Sequence, residues 1–166
     1  MTRIKEKEMT KLIHEMIFRI KFKNLLSQIS ISNIDSLSGI EFEEFVANYF
    51  RYMGYSTVTT PKTGDNGLDI IASKRGVSLG IQAKLYYNHN ISNSAVQEAF
   101  SGKSYYKCDY SMVITNWKFS KPAVGLAEEL GVILLDRTDI SRLLKLNRRE
   151  SNKYIEEKIN RIENER

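Results

Sequence analysis

The sequence predicts an α/β fold in which helices flank a mixed central sheet. Three observations support this fold class. Residues 64–86 alternate like two strands around the turn Lys74-Arg75-Gly76. An amphipathic helix pattern precedes this hairpin, and helical and short apolar strand patterns alternate after it as far as residue 135. The predicted order of the central elements is therefore αβββαβαβ, with extra N-terminal and C-terminal helices.

The core elements have recognisable ends. A helix pattern begins near Ser38 and stops at Gly54, and the β-branched run after it is broken by Pro61. Either Ser92 or Ser94 can cap a helix that reaches about residue 106. The remaining elements are a strand within 109–116, a helix at 120–130, a strand at 132–135 and, after a loop that starts at Asp136, one or two charged helices.

The chain divides into three predicted parts. Residues 1–29 form a basic amphipathic helix whose apolar stripe could pack on the core or on a second copy of the chain. The polar, serine-rich connection at 30–38 is the best boundary in the sequence. We predict a core at 30–140 and a charged helical extension at 141–166.

Positive charge is concentrated in the two flanks. The formal net charge is +5, of which residues 1–29 carry +4 and residues 141–166 carry +3, whereas the central part carries −2. Such flanks would attract a polyanion such as DNA, while acidic groups in the centre could hold a cation. The alternative is that helices rich in Lys and Glu are simply solvated surfaces.

The composition excludes some protein classes. The single cysteine, Cys108, cannot form a disulfide framework. No apolar run has the length of a membrane span, and charges interrupt every candidate signal-peptide segment. We expect a cytoplasmic protein with no membrane partner.

The hairpin predicts a polar site. If Arg75 and Gly76 form a two-residue loop, paired residues have numbers that sum to 151, so that Asp69 lies opposite Gln82. Lys84 is two residues beyond Gln82 and therefore shares its face. A three-residue turn with a bulge would shift this register by one residue.

These residue types suit metal-assisted phosphodiester hydrolysis. Asp69 can hold a hard cation through oxygen, and the amide oxygen of Gln82 or the backbone carbonyl of Ala83 can complete the ligand set. The ammonium of Lys84 can orient water and offset developing negative charge. A ligand set made only of oxygen favours Mg²⁺, and the sequence has no His or Cys cluster with zinc spacing. For Asp69, the structural alternative is that the carboxylate caps a turn.

Several motifs together resemble a known family. They are Gly39-Ile40-Glu41-Phe42-Glu43, Gly54-Tyr55, Thr63-Gly64-Asp65-Asn66-Gly67-Leu68-Asp69, Gln82-Ala83-Lys84, Val113-Ile114-Thr115-Asn116 and the segment 127–131. In order and spacing they resemble the catalytic domain of Mrr-like restriction endonucleases, which belong to the PD-(D/E)XK nuclease superfamily. The resemblance covers about residues 37–144.

The resemblance implies a restriction-endonuclease-like core that binds Mg²⁺, with Mn²⁺ as a substitute, and cuts DNA. Asp69 matches the metal-binding aspartate of the family, Gln82 its usual replacement for the second acid, and Lys84 its catalytic lysine. Glu43 matches the helix glutamate that completes the catalytic and metal site, although electrostatics at the helix end also explain an acid there. Asn66 stands where a glycine is common, a mild departure because asparagine tolerates positive φ.

The interpretation includes DNA contacts and protein partners. The candidate DNA-binding residues are Asp65, Asn66, Gln97, Asn116, Lys21 and Lys23. Asn116, at a strand end, could equally serve a turn. We expect a homodimer, since cutting both strands calls for two sites. An additional recognition subunit is a further expectation, because Mrr-like enzymes usually carry a separate reading domain.

The main prediction is a metal-dependent DNA endonuclease of Mrr-like type that acts in restriction or defence. One alternative is a Holliday-junction resolvase-like or DNA-repair nuclease. Another is a non-catalytic DNA-binding or assembly subunit that keeps the nuclease fold, which the intact Asp69, Gln82 and Lys84 disfavour. RNA as the substrate is a third.

Overall fold

The computed structural model describes residues 3–61 and 66–164. In chain order its elements are α1 (Arg3–Leu26), α2 (Ile31–Asp35), α3 (Gly39–Met53), β1 (Ser56–Thr59), β2 (Ile70–Lys74), β3 (Val77–Lys84), α4 (Asn93–Tyr106), β4 (Tyr110–Thr115), α5 (Lys121–Leu130), β5 (Val132–Leu135), α6 (Arg137–Leu143) and α7 (Arg148–Asn164). Within these residues the strands form one sheet in the order β1-β2-β3-β4-β5. The first three strands are antiparallel and the last three parallel. The predicted α/β class and the order αβββαβαβ are confirmed.

The β2–β3 hairpin has the predicted register. Its pairs run from Ile70 opposite Ile81 to Lys74 opposite Val77, so the paired numbers sum to 151. The two turn residues, Arg75 and Gly76, have φ of 51° and 79°. Positive φ at both positions is the geometry of a type I′ turn, whose twist matches that of the strands it joins. The alternative with a bulge and a shifted register is therefore excluded.

Helices cover both faces of the sheet. On one face α1, α2, α3, α6 and α7 pack around a core that includes Phe42, Phe50 and Ile81. On the other face α4 and α5 cover a second core that includes Val96 and Ala99. Strand β4 is buried on both sides, as expected for a parallel strand between two helical layers.

Both flanks contribute to the core on the α3 face of the sheet. Phe22 and Leu26 of α1 and Ile155 of α7 belong to the same core as α3. The hydroxyl of Tyr49 donates to the carbonyl of Leu143 at 2.8 Å and lies 2.8 Å from Ser151 Oγ, and burial raises the pKa of this tyrosine to about 12. The division into three parts at residues 29 and 140 stays a prediction.

Two connections differ from the prediction. The segment 30–38 contains the short helix α2, in which Ile34 is buried and the side chain of Asn33 accepts from the amide of Ser30 at 2.8 Å. The loop expected from Asp136 is replaced by α6, because the Asp136 carboxylate accepts from the amides of Thr138 and Asp139 and starts a helix immediately.

Among helices in the described ranges, none has the length and apolarity that crossing a bilayer would require.

Candidate active site

Asp69 and Gln82 lie where the hairpin ends. The amide of Asp69 donates to the carbonyl of Ile81 at 2.9 Å, and its Oδ2 accepts from the amide of Ala83 at 2.8 Å. Ile81 and Ala83 face the α3 layer, so Gln82 and Lys84 point to the opposite face, toward α4. Gln82 is only 3% exposed, and its Oε1 has no hydrogen-bond partner among the described residues. A buried amide oxygen without a donor is available to bind a cation.

Lys84 forms an ion pair that sequence analysis did not predict. Its Nζ lies 2.7 Å from Glu98 Oε2. Burial alone would lower the pKa of Lys84, but the carboxylate of Glu98, with a smaller contribution from Asp69, outweighs it and raises this pKa above its ordinary value. The ammonium is therefore held charged in a half-buried place.

Two glycines bring the segment before Asp69 against α4. Gly67 has φ of +79°, and a Cβ there would lie 2.1 Å from the carbonyl oxygen of Glu98. A Cβ on Gly102 would lie 2.6 Å from the carbonyl oxygen of Asn66. Only residues without a side chain permit this approach. The contact fixes the spacing between Asp69 on its loop and Glu98 on its helix.

An open cavity of about 550 Å³ lies between this loop and α4. Its lining residues are Asn66, Gly67, Ser94, Gln97, Glu98, Ser101 and Tyr105. Two of the candidate DNA-binding residues, Asn66 and Gln97, thus line the same depression as Glu98, the ion-pair partner of Lys84. Amide and hydroxyl groups of this kind can hydrogen-bond to a nucleic-acid backbone.

The other candidate DNA-binding residues lie elsewhere. Lys21 and Lys23 are exposed on α1, whereas Asp65 is outside the described residues. Asn116 is 1% exposed, and its Oδ1 accepts from the amide of Tyr86 while its Nδ2 donates to Asp35 Oδ1 and to the carbonyl of Tyr86. These bonds give Asn116 a structural role and leave its predicted DNA contact without support.

The donors at the hairpin fit a divalent cation. Within residues 3–61 and 66–164, no three His, Cys, Asp or Glu side chains converge as a metal site. A site here would therefore combine the Asp69 carboxylate with the orphaned oxygen of Gln82 and the backbone carbonyl of Ala83, all hard oxygen donors. Glu43, the predicted helix glutamate, is half-buried on α3, in the layer that covers the opposite face of the sheet. Its membership of the site stays a prediction.

Glu98 is the site residue that the sequence analysis missed. It lies next to Gln97, one of the predicted DNA-binding residues, and it borders the apolar face formed by Ala95 and Ala99. An acid at the edge of a buried helical face, three residues after Ala95, was the available signal. The signal is weak because periodicity does not show which strand residue the helix faces.

The sequence of residues 34–144 matches the Mrr catalytic-domain family, described as restriction endonuclease. The chain belongs to this Mrr-type restriction endonuclease family. The match spans more than half of the chain and confirms the resemblance in the sequence motifs. No curated protein matches the Mrr-type chain.

Three solved structures resemble the Mrr-type chain at low identity. The DNA modification-dependent restriction endonuclease AspBHI has 18% identity and a TM-score of 0.56, with 82% of this chain and 39% of AspBHI covered. AF1548, a protein of unknown function, has 15% identity and a TM-score of 0.50, and the match covers 74% of this chain and 97% of AF1548. MspJI, solved with a 27-mer oligonucleotide, has 18% identity and a TM-score of 0.45, and the match covers 61% of this chain and 26% of MspJI. The Mrr-type chain thus shares its fold with AspBHI and spans well under half of that protein.

Proposed function

We propose that this chain is a metal-dependent DNA endonuclease of Mrr-like type that hydrolyses phosphodiester bonds in restriction or defence. The observation that carries the proposal is the convergence of Asp69, the orphaned oxygen of Gln82 and a charged Lys84 at one end of the hairpin, in a chain of the Mrr-type family. Oxygen donors beside an ammonium are the combination that phosphodiester hydrolysis uses.

The metal would be Mg²⁺, with Mn²⁺ as a substitute. Asp69, Gln82 and the Ala83 carbonyl would hold it, with Glu43 as a further ligand. When bound, the cation supplies a Lewis acid at the scissile phosphodiester. Because Gln82 contributes no charge, Asp69 provides the negative charge at the hairpin, which favours one metal over two.

Lys84 would act on the substrate directly. Its ammonium carries a proton at Nζ and would stabilise the negative charge that grows on the phosphate oxygens. Glu98 would be a positioning residue that keeps Nζ charged and aimed along β3. Desolvation around Lys84 strengthens this electrostatic effect, since a half-buried charge is less screened than an exposed one.

DNA would lie over the cavity beside α4. Asn66 and Gln97 would contact its backbone there, together with Asp65, and Lys21 and Lys23 on α1 would attract it through charge. We further propose that the protein acts in the cytoplasm as a homodimer, so that two sites cut the two strands, and that another subunit assists recognition.

The test compares nucleic acids and metals. Purified protein would be incubated with unmodified and methylated supercoiled plasmid, single-stranded DNA, a four-way junction and RNA, each with Mg²⁺, Mn²⁺ or EDTA. We expect metal-dependent plasmid cleavage that Asp69→Ala and Lys84→Ala abolish, while Lys121→Ala, which removes an exposed lysine on α5, retains it. Cleavage confined to the junction would replace restriction with a resolvase role. DNA binding without cleavage in either metal would contradict an enzymatic function.

A further inference from the structure

Helix α1 carries two apolar faces. Phe18, Phe22 and Leu26 pack toward α3, where Phe22 contacts the rings of Phe45 and Tyr49. A second stripe lies on the other side of the helix and stays exposed. Its members, at 42% to 66% exposure, are Met9, Leu12, Ile13, Met16, Ile17 and Ile20. At about 100° per residue these six side chains span an arc of roughly 140°, the width of a face that packs against another helix.

Residues 5–14 of α1 pack against no other part of the described chain. Residues 5–14 are all exposed, whereas partial burial begins at Glu15 and Phe18 and full burial at Phe22 and Leu26. An isolated helix of this length is marginally stable in water, since helices in proteins gain most of their stability from packing of an apolar face. An unpacked segment that exposes large apolar residues is therefore expected to meet another surface.

The exposed stripe is symmetric about its own midpoint. Its members form three pairs whose residue numbers add up to 29. These pairs are Met9 with Ile20, Leu12 with Ile17, and Ile13 with Met16. Two copies of the helix that run in opposite directions, related by a two-fold axis between residues 14 and 15, place each side chain beside its counterpart. This self-complementarity is the property of an isologous interface.

The charges beside the stripe select the antiparallel direction. The same sum pairs Glu6 with Lys23, and both side chains are exposed. Antiparallel helices thus place Glu6 of each copy next to Lys23 of the other. Parallel helices would place Glu6 beside Glu6 and Lys23 beside Lys23, and would also bring Arg19 and Lys21 of both copies together.

We propose that α1 is a dimerisation helix that pairs through this stripe with α1 of a second copy, antiparallel and about a two-fold axis. The six side chains expose roughly 600 Å², at the upper end of the 300–600 Å² that the largest patch on a monomer reaches. This area supplies most of the roughly 800 Å² per partner of a standard interface. The inference rests on α1 alone and does not depend on nuclease activity.

The oligomeric state tests the interface. Sedimentation equilibrium of the full chain should show a dimer at micromolar concentration, and Ile13→Glu or Met16→Glu should weaken dimerisation about 100-fold or more, because each places two charges in the apolar seam. His14→Glu adds the same charge on an exposed site outside the stripe and should leave the dimer intact. Circular dichroism would verify that all variants keep their helical content. A wild-type chain that stays monomeric up to about 100 μM would overturn the proposal.

A charge exchange tests the direction. Glu6→Lys and Lys23→Glu should each weaken the dimer several-fold, since each turns two attractive pairs into repulsive ones, and the double variant should regain the wild-type dissociation constant. Recovery in the double variant supports the antiparallel arrangement. If the double variant is no tighter than the weaker single variant, the antiparallel pairing is wrong.

Discussion

Lys84 Nζ and Glu98 Oε2 lie 2.7 Å apart and join the end of strand β3 to helix α4. Glu98 belongs to the helix against which the loop before Asp69 is packed through Gly67. The ion pair and the glycine contact together relate Lys84, Asp69 and α4. The positions of the reactive groups therefore depend on α4 as much as on the hairpin.

Glu98→Gln tests how far this carboxylate sets the charge of Lys84. With the carboxylate lost, burial is the dominant influence, and the pKa of Lys84 falls from its raised value. A lysine with a raised pKa keeps its charge, and the associated stability, until the pH rises through that pKa. In the variant we expect the cleavage rate to fall at lower pH than in the wild type on the alkaline side of its pH profile. The titration of Lys84 Nζ, measured by ¹⁵N-detected NMR, should shift to lower pH as well.

The matched control is Glu129→Gln, which neutralises an exposed acid on α5. Its alkaline limb should coincide with that of the wild type. An unchanged Nζ titration in Glu98→Gln would show that the ion pair does not govern Lys84.

Gln82→Glu tests the orphaned oxygen as a metal ligand. The new carboxylate occupies a site that is 3% exposed, so we expect it to cost about 1–3 kcal/mol of unfolding free energy without metal. Ca²⁺ or Mg²⁺ should restore this loss, and the rise in Tm on adding the ion should exceed that of the wild type. Differential scanning calorimetry with and without each ion measures both quantities. An equal metal response in the two proteins would remove Gln82 from the ligand set.

Asp35→Asn tests the network that holds the end of β4. Asp35 Oδ1 and Oδ2 accept from Arg137 at 2.6 Å and 2.8 Å, and Oδ1 also accepts from Asn116 at 3.0 Å. The hydrogen bonds from Arg137 lower the pKa of Asp35, against the opposing effect of burial. The stability that ionised Asp35 contributes is present above the ordinary pKa of aspartate, near 4. It is lost as the pH falls through the lower pKa that Asp35 has in the folded protein.

We expect Asp35→Asn to lose about 1.5–3 kcal/mol at pH 7, the size of hydrogen bonds to a charged group. The difference from the wild type should shrink as the pH falls below 4. Urea unfolding of both proteins at pH 7, 5 and 3 measures this difference in unfolding free energy. A difference that stays constant over this range would mean that Asp35 is not ionised against Arg137.

Gly102→Ala tests the close approach of the loop to α4. The added Cβ would lie 2.6 Å from the carbonyl oxygen of Asn66 and from Leu68 Cγ, so we expect a loss of about 1–3 kcal/mol and reduced metal affinity from the displaced loop. Gly125→Ala is the control, since its Cβ meets nothing within 4 Å in α5, and it should stabilise the protein by about 0.5–1 kcal/mol. Thermal unfolding distinguishes the two. Equal stabilisation by both changes would contradict the close contact.

Local patterns were sufficient to predict the hairpin. The dipeptide Arg75-Gly76 determines the turn, and the turn determines the register from Lys74 opposite Val77 to Ile70 opposite Ile81, next to Asp69 and Gln82. The family motifs then predicted the fold, which the strand order confirms. These features depend on residues close in sequence, which a single sequence displays directly.

Contacts between residues far apart in the chain could not be predicted from the sequence. The pairing of Lys84 with Glu98 depends on how α4 rotates about its axis, and the buried bonds of Asn116 depend on Asp35, which is far from it in the chain. The helix in 30–38 was missed because serines suit both connections and helix caps. The sequence also does not show which surface the α1 stripe packs against. Packing on the core and pairing with a second copy require the same apolar residues.

The type I′ turn makes the hairpin sensitive to length as well as to composition. Strand β3 is held in place by β4, so one residue inserted between Lys74 and Val77 would be accommodated by sliding β2. The slide would reverse the faces of β2 and carry Asp69 out of line with Gln82, although every side chain of the site would still be present. Homologous hairpins should therefore keep the number of their turn residues even where the residue at position 75 changes, whereas the positive φ at position 76 favours glycine.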